Sequence, residues 1–208
     1  MIDARDEVLS PAPRPIRRRA TSASSPRTRQ PGAASTNEAL RVQRIFSNPN
    51  VKPFDQIEWE ERTAEITDDS GKVIFKQENV EVPQSWSLLA TKVVVSKYFY
   101  GEQNTPERET SVTQLIHRVC RTIADWGVKD GYFSRADGEV FCDELTWLCV
   151  NQFGAFNSPV WFNVGLYHQY GVGKDSAKGN WYYNRKTGEA ERAPTQYEYP
   201  QEIGRAHV

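Results

Sequence analysis

The chain has 208 residues, with 26 Lys and Arg against 27 Asp and Glu, three Cys, and 38% hydrophobic and 12% aromatic residues. That length suits one domain or one and a half with a sizeable core, and a formal net charge of -1 excludes charge-driven nucleic-acid binding by the chain as a whole. The longest aliphatic run, Val93 to Val95, is far short of a bilayer span, and the opening Met1 to Asp6 lacks the basic-then-apolar order of a secretory signal.

Cys120, Cys142 and Cys149 contain no CxxC spacing, so a disulfide framework or a zinc site is not expected, and a reducing cytoplasm is the default setting. Residues 1–36 hold no aromatic residue, five Pro and a Ser/Thr/Ala/Arg mixture that includes Arg17, Arg18 and Arg19. Such a segment buries too little apolar surface to offset its ordering entropy. Residues 1–39 are therefore expected to be a disordered basic tail, with the Arg cluster a solvated run rather than a nucleic-acid contact.

Order is expected from Leu40 to about Phe153, as a helical domain with a β-hairpin. Alternation over 64–77, broken by Asp68-Asp69-Ser70-Gly71, predicts strand, turn and strand, and Pro83 closes this section. Ser85 or Ser87 can cap a helix through Leu88, Val93 and Phe99, ended by Gly101. A second helix starts near Thr110 or Ser111, carries Leu115, Ile116, Val119, Ile123 and Trp126 at three-to-four spacing, and stops at Gly127. A third runs from about Asp137 to Phe153. On it Cys142 and Cys149 lie two turns apart, and both are expected to be buried as small apolar residues.

Gly-rich, aromatic-rich stretches follow over 160–173 and 179–184, and Arg185 to Glu189 reads as a surface turn. The aromatics could form a stacking platform; packing of a loop onto the domain is the preferred reading. Gly171-Val172-Gly173-Lys174 fails as a phosphate loop, because Asp175 follows the lysine and His168 stands where the first glycine belongs. His117 and His168 have no ligand partner at metal spacing. No nucleophile-and-base pair is visible.

Five blocks in order are more informative. They are Val51-Lys52-Pro53-Phe54-Asp55-Gln56-Ile57-Glu58-Trp59-Glu60, Val82-Pro83-Gln84-Ser85-Trp86-Ser87, Val94-Val95-Ser96-Lys97-Tyr98-Phe99, Thr105-Pro106-Glu107-Arg108-Glu109, and the run from Ala155 to Gly165 that includes Asn157-Ser158-Pro159. Over about residues 44–201 the chain resembles the N-terminal region of the vitamin B12-dependent (class II) ribonucleotide reductases. The resemblance implies an α+β, mainly helical N-terminal region, with residues 154–201 leading into a ten-stranded α/β barrel that is itself truncated here. It implies reduction of ribonucleotides, diphosphates being favoured, by a cysteine thiyl radical that adenosylcobalamin initiates. It also implies a thioredoxin-type or dithiol reductant and a possible homodimer in the full-length enzyme, with no membrane or specific nucleic-acid partner.

One site residue is implied by the resemblance, the substrate-binding serine of the Asn-Ser-Pro block, here Ser158. Its hydroxyl can donate to a phosphate or ribose oxygen, and the helix start at Ser-Pro could add backbone N–H groups facing an anion. The plainer alternative is that Ser158 only caps that helix. No catalytic residue and no metal ligand is expected within the chain, and no cofactor is expected to bind it alone. The family continues from Pro200-Gln201 into a segment with its first reducing cysteine, whereas this chain ends Glu202 to Val208 without one. Those last seven residues back-translate to a string resembling a sequencing adapter, so 202–208 are expected to be non-native and the fragment inactive. The rival reading is a stand-alone interaction module that binds a partner or nucleic acid through its basic tail and aromatic loop.

Overall fold

Trp59–Thr67 (β1) and Val73–Pro83 (β2) pair as an antiparallel hairpin that extends further at its open end than alternation over 64–77 predicts. The fold is that of a computed structural model describing residues 39–174, 181–184, 186–193, 195 and 197–198. The expected disordered tail up to residue 38, with Arg17 to Arg19, lies outside the described residues, as do Gly179, Asn180, Pro200, Gln201 and 202–208. At the turn, the Asp68 carboxylate accepts from the amides of Ser70 (2.9 Å) and Lys72 (3.0 Å), which is why an Asp opens it. Asn79, at φ 54°, sits where the register shifts between Arg62 and Ala64. Ala64, Val80 and Val82 are fully buried, whereas Val73 and Ile74 at the turn end stay exposed.

Helix α1 (Leu88–Lys97) is capped by Ser87, whose hydroxyl accepts from the Ala90 amide, and it ends at Tyr98, three residues before the expected Gly101. Helix α2 (Val112–Lys129) opens on a reciprocal capping box between Ser111 and Gln114. It runs past Gly127. That glycine is there for packing, since a Cβ on it would lie 2.4 Å from the Phe133 ring, and the left-handed residue that ends the helix is Gly131 at φ 78°. Helix α3 (Arg135–Val150) begins two residues before the expected Asp137 because Ser134 caps it, accepting from the Asp137 amide, and it ends three before Phe153.

Two short helices follow, α4 (Ser158–Asn163) and α5 (Leu166–Tyr170), then a second hairpin of β3 (Trp181–Asn184) and β4 (Glu189–Arg192). The architecture is α+β, with two separate two-stranded sheets among the described residues. One core joins β1, β2 and the helices through residues such as Val82, Val95, Leu115, Ile116, Val119 and Val150. No helix among the described residues is long and apolar enough to cross a membrane.

The segment before β1 is held to α3 by adjacent carboxylates. Glu144 accepts from the amides of Ile45, Phe46 and Ser47 at 2.8–2.9 Å and from the Ser47 hydroxyl, while Asp143 pairs with Arg44 and Lys52. Burial alone would raise the Glu144 carboxyl, but the Ser47 hydroxyl and the three amides outweigh it and bring it from 4.5 to about 2. A depressed carboxyl stabilises the fold fully above its unfolded value and loses that contribution as pH falls through the folded one. The protection of the Ile45, Phe46 and Ser47 amides, taken relative to their intrinsic exchange rates, is therefore expected to fall as pH drops from about 4.5 toward 2. Glu144→Gln should weaken this anchor by about 1–3 kcal/mol at neutral pH and abolish the acid step. An unchanged acid profile in that variant would assign the anchoring elsewhere.

Candidate functional site

Asn157, Ser158 and Pro159 turn the chain into α4, and their roles differ from the cap reading of Ser158. Asn157 is the N-cap, with its side chain accepting from the Val160 amide at 3.4 Å. Ser158 occupies the first helical position and Pro159 the second, where a missing N–H costs nothing. The Val160 and Trp161 amides both turn back to the Asn157 carbonyl. Those two amides are thus not free to face an anion. What Ser158 presents is its hydroxyl, half-buried and 3.1 Å from the hydroxyl of Tyr98.

A six-residue helix is too short to hold itself in place. Arg118 of α2 does so from below. Its guanidinium, 1% exposed, donates to the carbonyls of Trp161 and Val164 at the end of α4 (2.8 Å each) and to that of Tyr98 (3.3 Å). Its Nε donates to Glu109 at 2.8 Å, and Glu109, equally buried, also accepts from the Tyr100 amide (2.7 Å) and the Tyr170 hydroxyl (2.8 Å). Burial first, and then the Glu109 charge, push the Tyr170 phenol up, so it stays a neutral donor. The loop after α1, helix α2, α4 and α5 therefore meet on one buried ion pair.

The sequence patterns do not single out Arg118, and Tyr98 and Glu109 stand there only within family-like blocks. A signal existed for Arg118. It shares a helix face with Leu115, Val119 and Thr122, all buried, and an arginine in such a stripe demands a buried partner.

The remaining expected residues take ordinary places. Cys120, Cys142 and Cys149 are buried free thiols; the Cys120 thiol is pushed up by its hydrogen bond to Cys149 and by burial, and that of Cys142 by burial. His117 is exposed on α2, and His168 accepts from the Trp126 indole at 3.3 Å. No group of three metal-ligating side chains occurs among the described residues. Lys174 lies 5.9 Å from the centroid of the Tyr167 ring. Trp181 and Tyr183, expected to pack a loop onto the domain, are instead 61% and 66% exposed, because alternation along β3 puts both on one open face.

Tyr98 also walls an apolar cavity of about 330 Å³, together with Trp86, Leu115, Phe156 and Trp161. It and three shallower polar clefts of about 390–570 Å³ belong to the size class of drug-like ligands. No described residue is assigned to a corrin cofactor.

Residues 60–152, from β1 to just past α3, match the family model described as class II vitamin B12-dependent ribonucleotide reductase. The chain belongs to this family and carries sequence of its N-terminal region. It is 57% identical over 151 residues to the vitamin B12-dependent ribonucleotide reductase of Rhodopirellula baltica, covering 72% of this chain and 14% of that protein. Identity to the reductase of the same name from Streptomyces coelicolor is 42% over 147 residues, 70% of this chain and 15% of the relative. For Bradyrhizobium diazoefficiens it is 32% over 196 residues, 78% and 16%. The chain thus spans only about 14–16% of the length of these relatives. Membership favours the reductase reading over the stand-alone module.

Removing one partner of a buried ion pair strands the other. Arg118→Ala is expected to destabilise the folded chain by about 3–5 kcal/mol. It should also release α4, seen as faster amide exchange at Val160 and Trp161 than global unfolding alone accounts for. A loss under 1 kcal/mol would mean that the pair is not what holds these elements.

Proposed function

We propose that the chain is the N-terminal region of an enzyme that converts ribonucleoside diphosphates to 2′-deoxyribonucleoside diphosphates by a cobalamin-initiated thiyl-radical mechanism, and that Ser158 supplies a hydroxyl contact to the substrate. One observation carries the assignment of the residue: Asn157 takes the cap, leaving the Ser158 hydroxyl free of helix duties and backed by Tyr98. A serine in that state offers one O–H to a phosphate or ribose oxygen, a charge-assisted bond if the acceptor is phosphate.

The family's cofactor would supply the radical chemistry when bound in the complete enzyme. This region would contribute substrate contact and position only. Its three cysteines are free and buried, and because they lie upstream of the family's redox positions we give them no thiyl or reducing role. Alone it should reduce no ribonucleotide. In the complete enzyme, residues 154–201 would lead into a ten-stranded α/β barrel, a thioredoxin-type protein or dithiol would return electrons, two copies would pair, and the setting would be cytoplasmic.

The test uses a full-length reductase carrying this sequence over its N-terminal region. Ser158→Ala should weaken binding of the substrate diphosphate by about 0.5–3 kcal/mol. Its melting point should hardly move, whereas Asn157→Ala should cost about 0.5–2 kcal/mol of stability. An unchanged substrate Kd in Ser158→Ala would sink the binding role.

A further inference from the structure

We propose that Tyr98 is a positioning residue for Ser158: its phenol donates to the serine oxygen and leaves the serine proton directed at the bound ribonucleotide. The proposal rests on the substrate role of Ser158 and goes beyond it by naming what sets the direction of that hydroxyl.

A serine hydroxyl has one donor and two acceptor sites and turns freely about its C–O bond unless a neighbour occupies one of them. The only partner recorded for the Ser158 hydroxyl among the described residues is the Tyr98 hydroxyl, 3.1 Å away. Either could donate. A phenolic O–H is a stronger acid than an alcoholic one and therefore the better donor of such a pair. Accepting that bond polarises the serine O–H and makes it a stronger donor to the next oxygen in the chain.

Tyr98 is itself fixed at three points. Its amide donates to the Val94 carbonyl at 2.9 Å, as the residue closing α1. Its carbonyl accepts from the buried Arg118 guanidinium. Its ring rests against Phe162, with centroids 5.3 Å apart. Ser158 and Phe162 are four residues apart on α4, hence on one face, so a single tyrosine side chain spans that face from one turn to the next. Tyr98 also lines the apolar cavity, together with Trp86 and Trp161.

The test is a double-mutant cycle in the full-length reductase: Tyr98→Phe, Ser158→Ala and the double variant, each measured for substrate diphosphate Kd and for melting point. Phe keeps the ring contacts and removes only the hydroxyl. Tyr98→Phe is expected to raise Kd about two- to tenfold, the range of one neutral hydrogen bond. In the Ser158→Ala background the same change should leave Kd where Ser158→Ala alone puts it. A merely structural tyrosine would lower the melting point equally in both backgrounds without moving Kd in either.

Wild-type Kd in Tyr98→Phe alongside a raised Kd in Ser158→Ala would overturn the positioning role and leave the substrate role of Ser158 standing. An undiminished Tyr98→Phe effect in the Ser158→Ala background would also overturn it, by showing that Tyr98 acts through another group. Wild-type Kd in Ser158→Ala would remove the reading on which the proposal rests.

Discussion

The buried guanidinium of Arg118 is the constraint to which the rest of the site is fitted. A charge taken out of water must be matched, and here all three guanidinium nitrogens donate, to the Glu109 carboxylate and to the carbonyls of Tyr98, Trp161 and Val164. Two of those carbonyls lie at the C-terminal end of α4, which leaves such groups unpaired and carries partial negative charge. The cation thus answers two needs at once. It closes a helix too short to persist alone, and the helix in turn supplies oxygens that make the burial of the cation tolerable. Gly165 belongs to the same arrangement. A Cβ there would sit 2.3 Å from the Arg118 carbonyl oxygen, and its φ of 88° is one that side chains rarely adopt, so only glycine lets the chain leave α4 this close to α2.

A second anchor works by different means at the other side of the core. Glu144 faces a run of three amides and Asp143 faces two cations, so the segment from Arg44 to Lys52 is held by charge-assisted bonds to one turn of α3. Aromatic stacking supports it, with Trp147 lying between Phe46 and Phe153 at centroid distances of 5.4 Å on each side. This anchor is exposed at its rim, through Lys52. The ion pair under α4 has both partners 1% exposed.

Local chemistry made much of the fold legible in the sequence. Ser87 and Ser111 cap the helices they precede, the apolar spacing from Leu115 to Trp126 marks the buried face of α2, and Asp68 marks the hairpin turn. Gly127 reads as a stop in the sequence because a glycine in a helical pattern has two explanations, a stop or a close neighbour, and only the folded chain brings Phe133 against it. The ion pair was invisible for a related reason. Local pairing rules reach four residues along a helix, whereas Arg118 meets Glu109 nine positions back, outside α2, and Val164 46 positions ahead. Ser158 was reached through resemblance alone, and its helical pattern pointed instead to a capping role that Asn157 fills.

Taken together, the contacts around Ser158 refer its position to the hydrophobic core by way of α2. Tyr98 reaches the serine hydroxyl, Phe162 holds the Tyr98 ring, and Arg118 holds the backbone of both Tyr98 and α4. Arg118 is in turn fixed because its helix buries Val112, Leu115, Ile116 and Val119 almost completely. Packed interiors deform little, so a hydroxyl tied to one through hydrogen bonds at 2.8–3.3 Å inherits that stiffness even though it stands on a helix of six residues. The exposed end of the first hairpin, with Val73 and Ile74 in solvent, has no such link to the serine. The division follows from which side chains α2 buries, and it makes the register of α2 the feature on which the geometry at Ser158 most depends.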